Sequence, residues 1–106
     1  MRQYRFDAYV IDTLMADLVL HDRQPSAFLV YLHLSSRAGG GRMPAASHQA
    51  MADATGLSKS AVQAAVRTLL RRRLLRVKRA GRTAVPEYAV LRPWRRLTPS
   101  SGRTPR

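Results

Sequence analysis

Val62, Ala65, Val66, Leu69 and Leu70 fall at i, i+3, i+4, i+7 and i+8, the spacing of a helix with one buried face. The opposite face carries Ser60, Gln63, Ala64, Arg67 and Arg71, with Lys59 flanking them in the first turn. Ser58 precedes this helix as an N-cap. Arg73 would rotate onto the apolar face, so the helix is expected to end near Arg72. Upstream, Ser47 is placed to cap a shorter helix over 48–54. Between the two, Thr55-Gly56-Leu57 reads as a tight turn, with glycine where the backbone needs a positive φ.

The pattern changes on either side of this pair. Pro25 suits a first helical turn, and Phe28, Leu29, Tyr31, Leu32 and Leu34 put apolar groups on most sides of a helix running to about Ala38. Such a helix is expected at the centre, covered by neighbours, and Gly39-Gly40-Gly41 ends it. Apolar residues at 11, 14, 15 and 18 predict a short helix over 10–20. Residues 1–10 alternate, which fits a short strand or an extended arm. Arg42-Met43-Pro44 is a candidate edge strand. After the long helix, Leu75 and Val77 alternate with Arg76 and Lys78 over 74–79. A turn at 80–83 and a second alternating run, 85–91, complete a predicted β-hairpin, with Pro86 tolerated near the start of an edge strand. Residues 92–106 are rich in Pro, Ser and Arg and predict an unstructured tail, from which Trp94 is a candidate to pack back. The expected fold is mainly α with a small β-hairpin. Residues 1–24 form an N-terminal arm and short helix, 25–91 the domain proper, and 92–106 the tail.

Charge sharpens this picture. The chain of 106 residues has a formal net charge of +13, and residues 1–53 contribute none of it. Arg2, Arg5, Arg23, Arg37 and Arg42 there are matched by Asp7, Asp12, Asp17, Asp22 and Asp53. The whole excess lies in 54–106, where Glu87 is the one acid. A basic half of this kind is the electrostatic footprint of a polyanion partner. Without cysteine, thiolate metal sites, disulfides and cysteine nucleophiles are excluded. His21, His33 and His48 share no metal-ligand spacing, and Gly39-Gly40-Gly41 lacks the Lys-Ser/Thr that follows a phosphate-binding loop. The aspartates at 7, 12, 17 and 22 recur every five residues, which does not keep them on one helical face. No enzyme, cofactor or metal is expected. No apolar run is long enough to span a membrane and no signal peptide is visible, so a cytoplasmic protein is expected.

A short helix, a tight turn and a second helix with a bare polar face make a helix-turn-helix, which sets its second helix in the DNA major groove. Met51-Ala52, Thr55-Gly56-Leu57-Ser58, Ala61-Val62, Leu69 and Leu74-Leu75, followed by a basic hairpin with Gly81 at its tip, resemble the winged helix-turn-helix of bacterial transcription regulators. The likeness covers about 25–91 and is shared by MarR-like and replication-initiator-like domains. The chain departs from that pattern at Arg73, where the family usually has glycine. In the left-handed conformation an arginine there costs roughly 1 kcal/mol more than glycine.

The side chains of the second helix carry their own reading. Gln63 can pair bidentately with adenine and Arg67 with guanine, and Ala64 can meet a thymine methyl. Small Ser60 and Ala64 let the backbone approach the groove. Ser58, Lys59 and Arg71 are candidates for phosphate, as are Ser47 and His48 at the start of the preceding helix. Lys78, Arg79 and Arg82 surround the hairpin tip and suit a wing that tracks phosphates or the minor groove. These features point to sequence-specific binding of double-stranded DNA by a small transcription regulator. A replication-initiation or plasmid-maintenance module, or a protein–protein adaptor on the same fold, is the alternative. One such module buries modest DNA surface, so a homodimer is expected, with Tyr4, Phe6, Tyr9 and Ile11 as candidate contacts or as packing on the chain's own core. The residues leave open whether a small molecule acts as an effector.

Overall fold

The computed structural model describes residues 1–81 and 84–96. It is mainly helical, with three α-helices, α1 (Pro25–Arg37), α2 (His48–Thr55) and α3 (Lys59–Arg71). A two-stranded antiparallel sheet, β1 (Leu75–Lys78) and β2 (Glu87–Val90), follows them.

The segment before α1 departs from the alternating reading of residues 1–10. No strand forms; the chain is helical from Ala8, with wide π-type turns at Val10–Leu14 and Asp17–His21. In these turns a backbone N–H reaches five residues back, as from Asp22 to the Asp17 carbonyl (3.0 Å). A turn wider than 3.6 residues brings a four-residue spacing nearer to a full turn. The inward row is therefore Val10, Leu14 and Leu18, each no more than 3% exposed. Ile11 and Met15, which a regular helix would share between core and solvent, turn outward.

α1 is central, as its pattern predicts. Ala27, Phe28, Val30, Tyr31 and Leu34 are buried against the N-terminal segment, α2, α3 and β2. Leu29 is the exception and faces out. The Tyr31 hydroxyl donates to the Leu91 carbonyl (2.8 Å), which satisfies the buried polar group, and burial pushes its ionisation up to about 12. Gly40 and Gly41 take positive φ as the chain leaves α1.

β1 and β2 pair in the register Leu75↔Val90 to Lys78↔Glu87. The expected edge strand at 42–44 does not form. Contact with β2 is shifted forward to a single bridge, Ala45↔Glu87. Two bonds flank it, from Ala46 N–H to the Pro86 carbonyl (3.1 Å) and from Tyr88 N–H to the Pro44 carbonyl (2.9 Å). Pro44 has no N–H, so the ladder cannot extend back to Arg42 and Met43. The edge reading of Pro86 is corrected too: it precedes β2, where only its carbonyl is used.

The unstructured reading from Arg92 onward is corrected at its start. Pro93–Arg96 forms a 3₁₀ turn that seats Trp94 on the domain. The indole stacks on Tyr9 (centroids 4.7 Å, planes 14° apart) and meets Tyr31 edge-on. Asp7 ties the turn down: it accepts from Trp94 Nε1 (2.8 Å) and from Arg95 Nε and Nη2 (2.6 and 2.7 Å). The Arg95 guanidinium, then the indole N–H, hold the Asp7 carboxyl down at about 2. Tyr9 is thus committed to the chain's own core, whereas Tyr4, Phe6 and Ile11 stay exposed.

Candidate nucleic-acid interface

Two serine caps and one glycine set the angle between α2 and α3. The Ser47 hydroxyl accepts from Ala50 N–H (3.0 Å) and the Ser58 hydroxyl from Ala61 N–H (3.1 Å). Gly56 closes α2 with φ 80°, its N–H on the Ala52 carbonyl (2.9 Å). Thr55 locks the same turn through its hydroxyl on the Met51 carbonyl (2.6 Å). Each serine oxygen accepts a backbone N–H and keeps its own O–H to donate, so an anion at these helix starts can meet that hydroxyl together with the remaining free N–H groups.

α3 buries Val62, Ala65, Val66, Thr68 and Leu69 against α1, α2 and β1. Lys59, Ser60, Arg67 and Arg71 are exposed, and Gln63 and Ala64 half-buried. At the far end the helix stops as expected at Arg72, and Arg73 adopts the left-handed conformation with φ 58°. Its N–H reaches the Leu70 carbonyl (3.1 Å), and Leu74 N–H reaches the Leu69 carbonyl (2.9 Å). That pair of bonds is the Schellman closure, made here without its usual glycine.

The hairpin and the start of α2 wall in the exposed face of α3. His48, Gln63, Arg67 and Arg79 line one cleft of about 410 Å³, with Val66, Leu70, Val77 and Tyr88 among its apolar walls. Ser47, Lys59 and Arg79 line a second opening of about 340 Å³, which also includes His48. Six of the candidate residues, His48 and Arg79 included, thus line these two openings. Ser58, Ser60, Ala64, Arg71 and Lys78 line neither opening, and Arg82 lies outside the described residues.

His48 reports the field at this point. Burial first, then Lys59, Arg79 and Arg67, hold its imidazole below the usual histidine range. Those cations are not neutralised from within the fold. Among the described residues, Lys59, Arg67, Arg71, Arg76, Lys78 and Arg79 have no carboxylate within ion-pair distance. Arg72, grouped in sequence with Arg71, behaves differently: it bridges Asp22 (2.6 Å) and Asp17 (3.2 Å) on the N-terminal segment.

No protein-family model, curated protein or solved structure matches this chain. The site therefore stands on its own geometry. Among the described residues no three of His, Cys, Asp and Glu gather as a metal-binding group, and no helix is long and apolar enough to cross a membrane.

Sequence reasoning missed the apolar floor of the larger cleft. Leu75 and Val77 share a face of β1, yet Leu75 is 2% exposed and Val77 is 41% exposed. The core ends beneath Leu75, so alternation found the right face but not how far the covering extends. The signal available was Val77 standing among Arg76, Lys78 and Arg79, a β-branched residue in a cationic run.

Proposed function

We propose that the protein binds double-stranded DNA sequence-specifically as a small winged-helix transcription regulator. The observation that carries this reading is the convergence of Gln63, Arg67, His48 and Arg79 on one open cleft beside cations that, among the described residues, have no carboxylate within ion-pair distance. A groove that gathers unneutralised cations around hydrogen-bonding side chains suits phosphates on its rim and base edges at its centre.

In this arrangement α3 lies in the major groove. Gln63 and Arg67 face base edges, and Ala64 sits where a thymine methyl can be met. Lys59, His48 and the free N–H groups at the α2 and α3 starts hold phosphate on one side. Lys78 and Arg79 hold it on the other. Two copies on two half-sites supply the affinity that one module lacks, and Tyr4, Phe6 and Ile11 are open for contact between copies.

The test is binding to duplex DNA from the region upstream of the gene against a random duplex, over a salt series. A preference of about 10³-fold or more is the expected result. Equal affinity for both duplexes with a steep salt slope would reduce the site to non-specific charge, and no binding would leave the adaptor reading.

A further inference from the structure

A second cationic groove lies at the other end of α3. Arg73, Leu75, Arg76, Leu91, Arg92 and Pro93 enclose about 530 Å³ at the base of the hairpin, within the range of small-molecule sites. It shares no lining residue with the openings around His48. A 13-residue helix at 1.5 Å per residue puts its two ends about 20 Å apart.

We propose that this groove binds a small organic anion with an apolar body. Arg73, Arg76 and Arg92 all line it, and among the described residues none of them has a carboxylate within ion-pair distance; the Arg92 guanidinium donates to the Val90 carbonyl (3.4 Å). Gathering like charges is unfavourable unless an anion joins them. Leu75, Leu91 and Pro93 supply an apolar floor, which bare phosphate or sulfate would not use. The frame is rigid. Leu91 N–H bonds the Leu74 carbonyl (2.9 Å), the Leu91 carbonyl takes the Tyr31 hydroxyl (2.8 Å), and Leu75 pairs with Val90 in the sheet. A floor pinned on three sides is preorganised and costs little to occupy.

Arg73 closes α3 with a left-handed backbone where glycine would be less strained, a conformation that Arg23 also takes outside this groove, and it is the residue of the α3 closure that lines the groove. The proposal goes beyond the DNA reading and does not depend on it.

The experiment is an NMR titration of the full chain with 2-naphthalenesulfonate, with 2-naphthalenemethanol and inorganic sulfate as comparisons. The sulfonate is expected to saturate with one-to-one stoichiometry, shifting the amides of Leu75, Arg76 and Leu91. The neutral alcohol and the sulfate are each expected to bind at least tenfold more weakly. Arg76→Gln and Arg92→Gln should each weaken the sulfonate severalfold, and Arg67→Gln should leave it unchanged. Arg73→Gly separates binding from folding: it should raise the melting temperature and still weaken the sulfonate. Equal binding of charged and neutral probes, shifts centred on Arg67 and Arg79, or full affinity in Arg73→Gly and Arg76→Gln would overturn the proposal. So would a short duplex DNA that shifts the Leu75, Arg76 and Leu91 amides by itself, because the groove would then belong to a nucleic-acid path.

Discussion

α1 and α3 are both 13 residues long, and each buries five of them. They nevertheless do opposite things. α1 is surrounded by the N-terminal segment, α2, α3 and β2, and its one charged residue is Arg37 at its last position. α3 confines its apolar groups to one stripe and holds Lys59, Arg67 and Arg71 out on the other side. Three aspartates of the N-terminal segment are paired within the fold, Asp7 with Arg95 and Asp17 and Asp22 with Arg72. Those along the outer face of α3 are not. Equal burial thus gives one helix that stabilises the domain and one that also presents a surface.

The comparison is easiest to break from the α1 side. Leu34 is fully buried, so Leu34→Ala should destabilise the domain by roughly 2–5 kcal/mol in urea unfolding. A loss under about 1 kcal/mol would mean that α1 is not the centre of the core. Arg67→Ala should behave inversely. Its stability should stay within about 0.5 kcal/mol of the parent, while affinity for a preferred duplex falls by about 1–3 kcal/mol and the base preference relaxes. Unchanged affinity and preference would remove α3 from the groove.

Arg71 and Arg72 sharpen the contrast within two residues. Arg72 spans two aspartates and is about a third exposed, 32% at its side chain, so Arg72→Ala should cost only ~1 kcal/mol of stability. It should leave the salt dependence of DNA binding alone. Arg71→Ala should leave stability alone and flatten the salt slope by up to about one unit if Arg71 meets a phosphate. A variant pair that exchanged these outcomes would place the boundary between core and surface on the wrong side of α3.

Much of this contrast was legible in the sequence, because it rests on local rules. The period of Val62, Ala65, Val66 and Leu69, the caps at Ser47 and Ser58 and the positive φ at Gly56 each depend on a few neighbouring residues. What escaped depends on distant partners. Nothing near Asp7 announces that Trp94 and Arg95 will close on it. Arg72 reads like Arg71 until Asp17 and Asp22 arrive from the other end of the chain. Leu14 and Leu18 face inward as read, but Ile11 and Met15 do not, because the spacing of the inward row follows the wider π turns. Thr68 is buried on α3 although hydropathy marks it polar. In the candidate interface, residue types were readable on α3 and the hairpin. The meeting of His48 and Arg79 needed the fold.

The smallest predicted effect tests that meeting. In the free protein, burial and the cations Lys59, Arg79 and Arg67 disfavour protonation of His48. Phosphates drawn in by those cations would offset their field and let the imidazole take up a proton. Binding would then consume protons, so affinity should rise as pH falls from about 8 toward 6, by less than about tenfold for one group. His48→Gln should abolish the rise at constant ionic strength. His33 must be kept apart from this effect, because its ionisation is also held down, by burial first and then by Arg37. A histidine whose folded-state value is depressed weakens folding as pH drops below its unfolded value near 6.5, since the unfolded chain binds the extra proton. His33 therefore acts on stability in the acid range and not on the DNA surface. Measuring affinity where the domain stays folded separates the two. A pH dependence that survives His48→Gln intact would show that His48 stands outside the phosphate path, and α3 would then have to be docked without the start of α2.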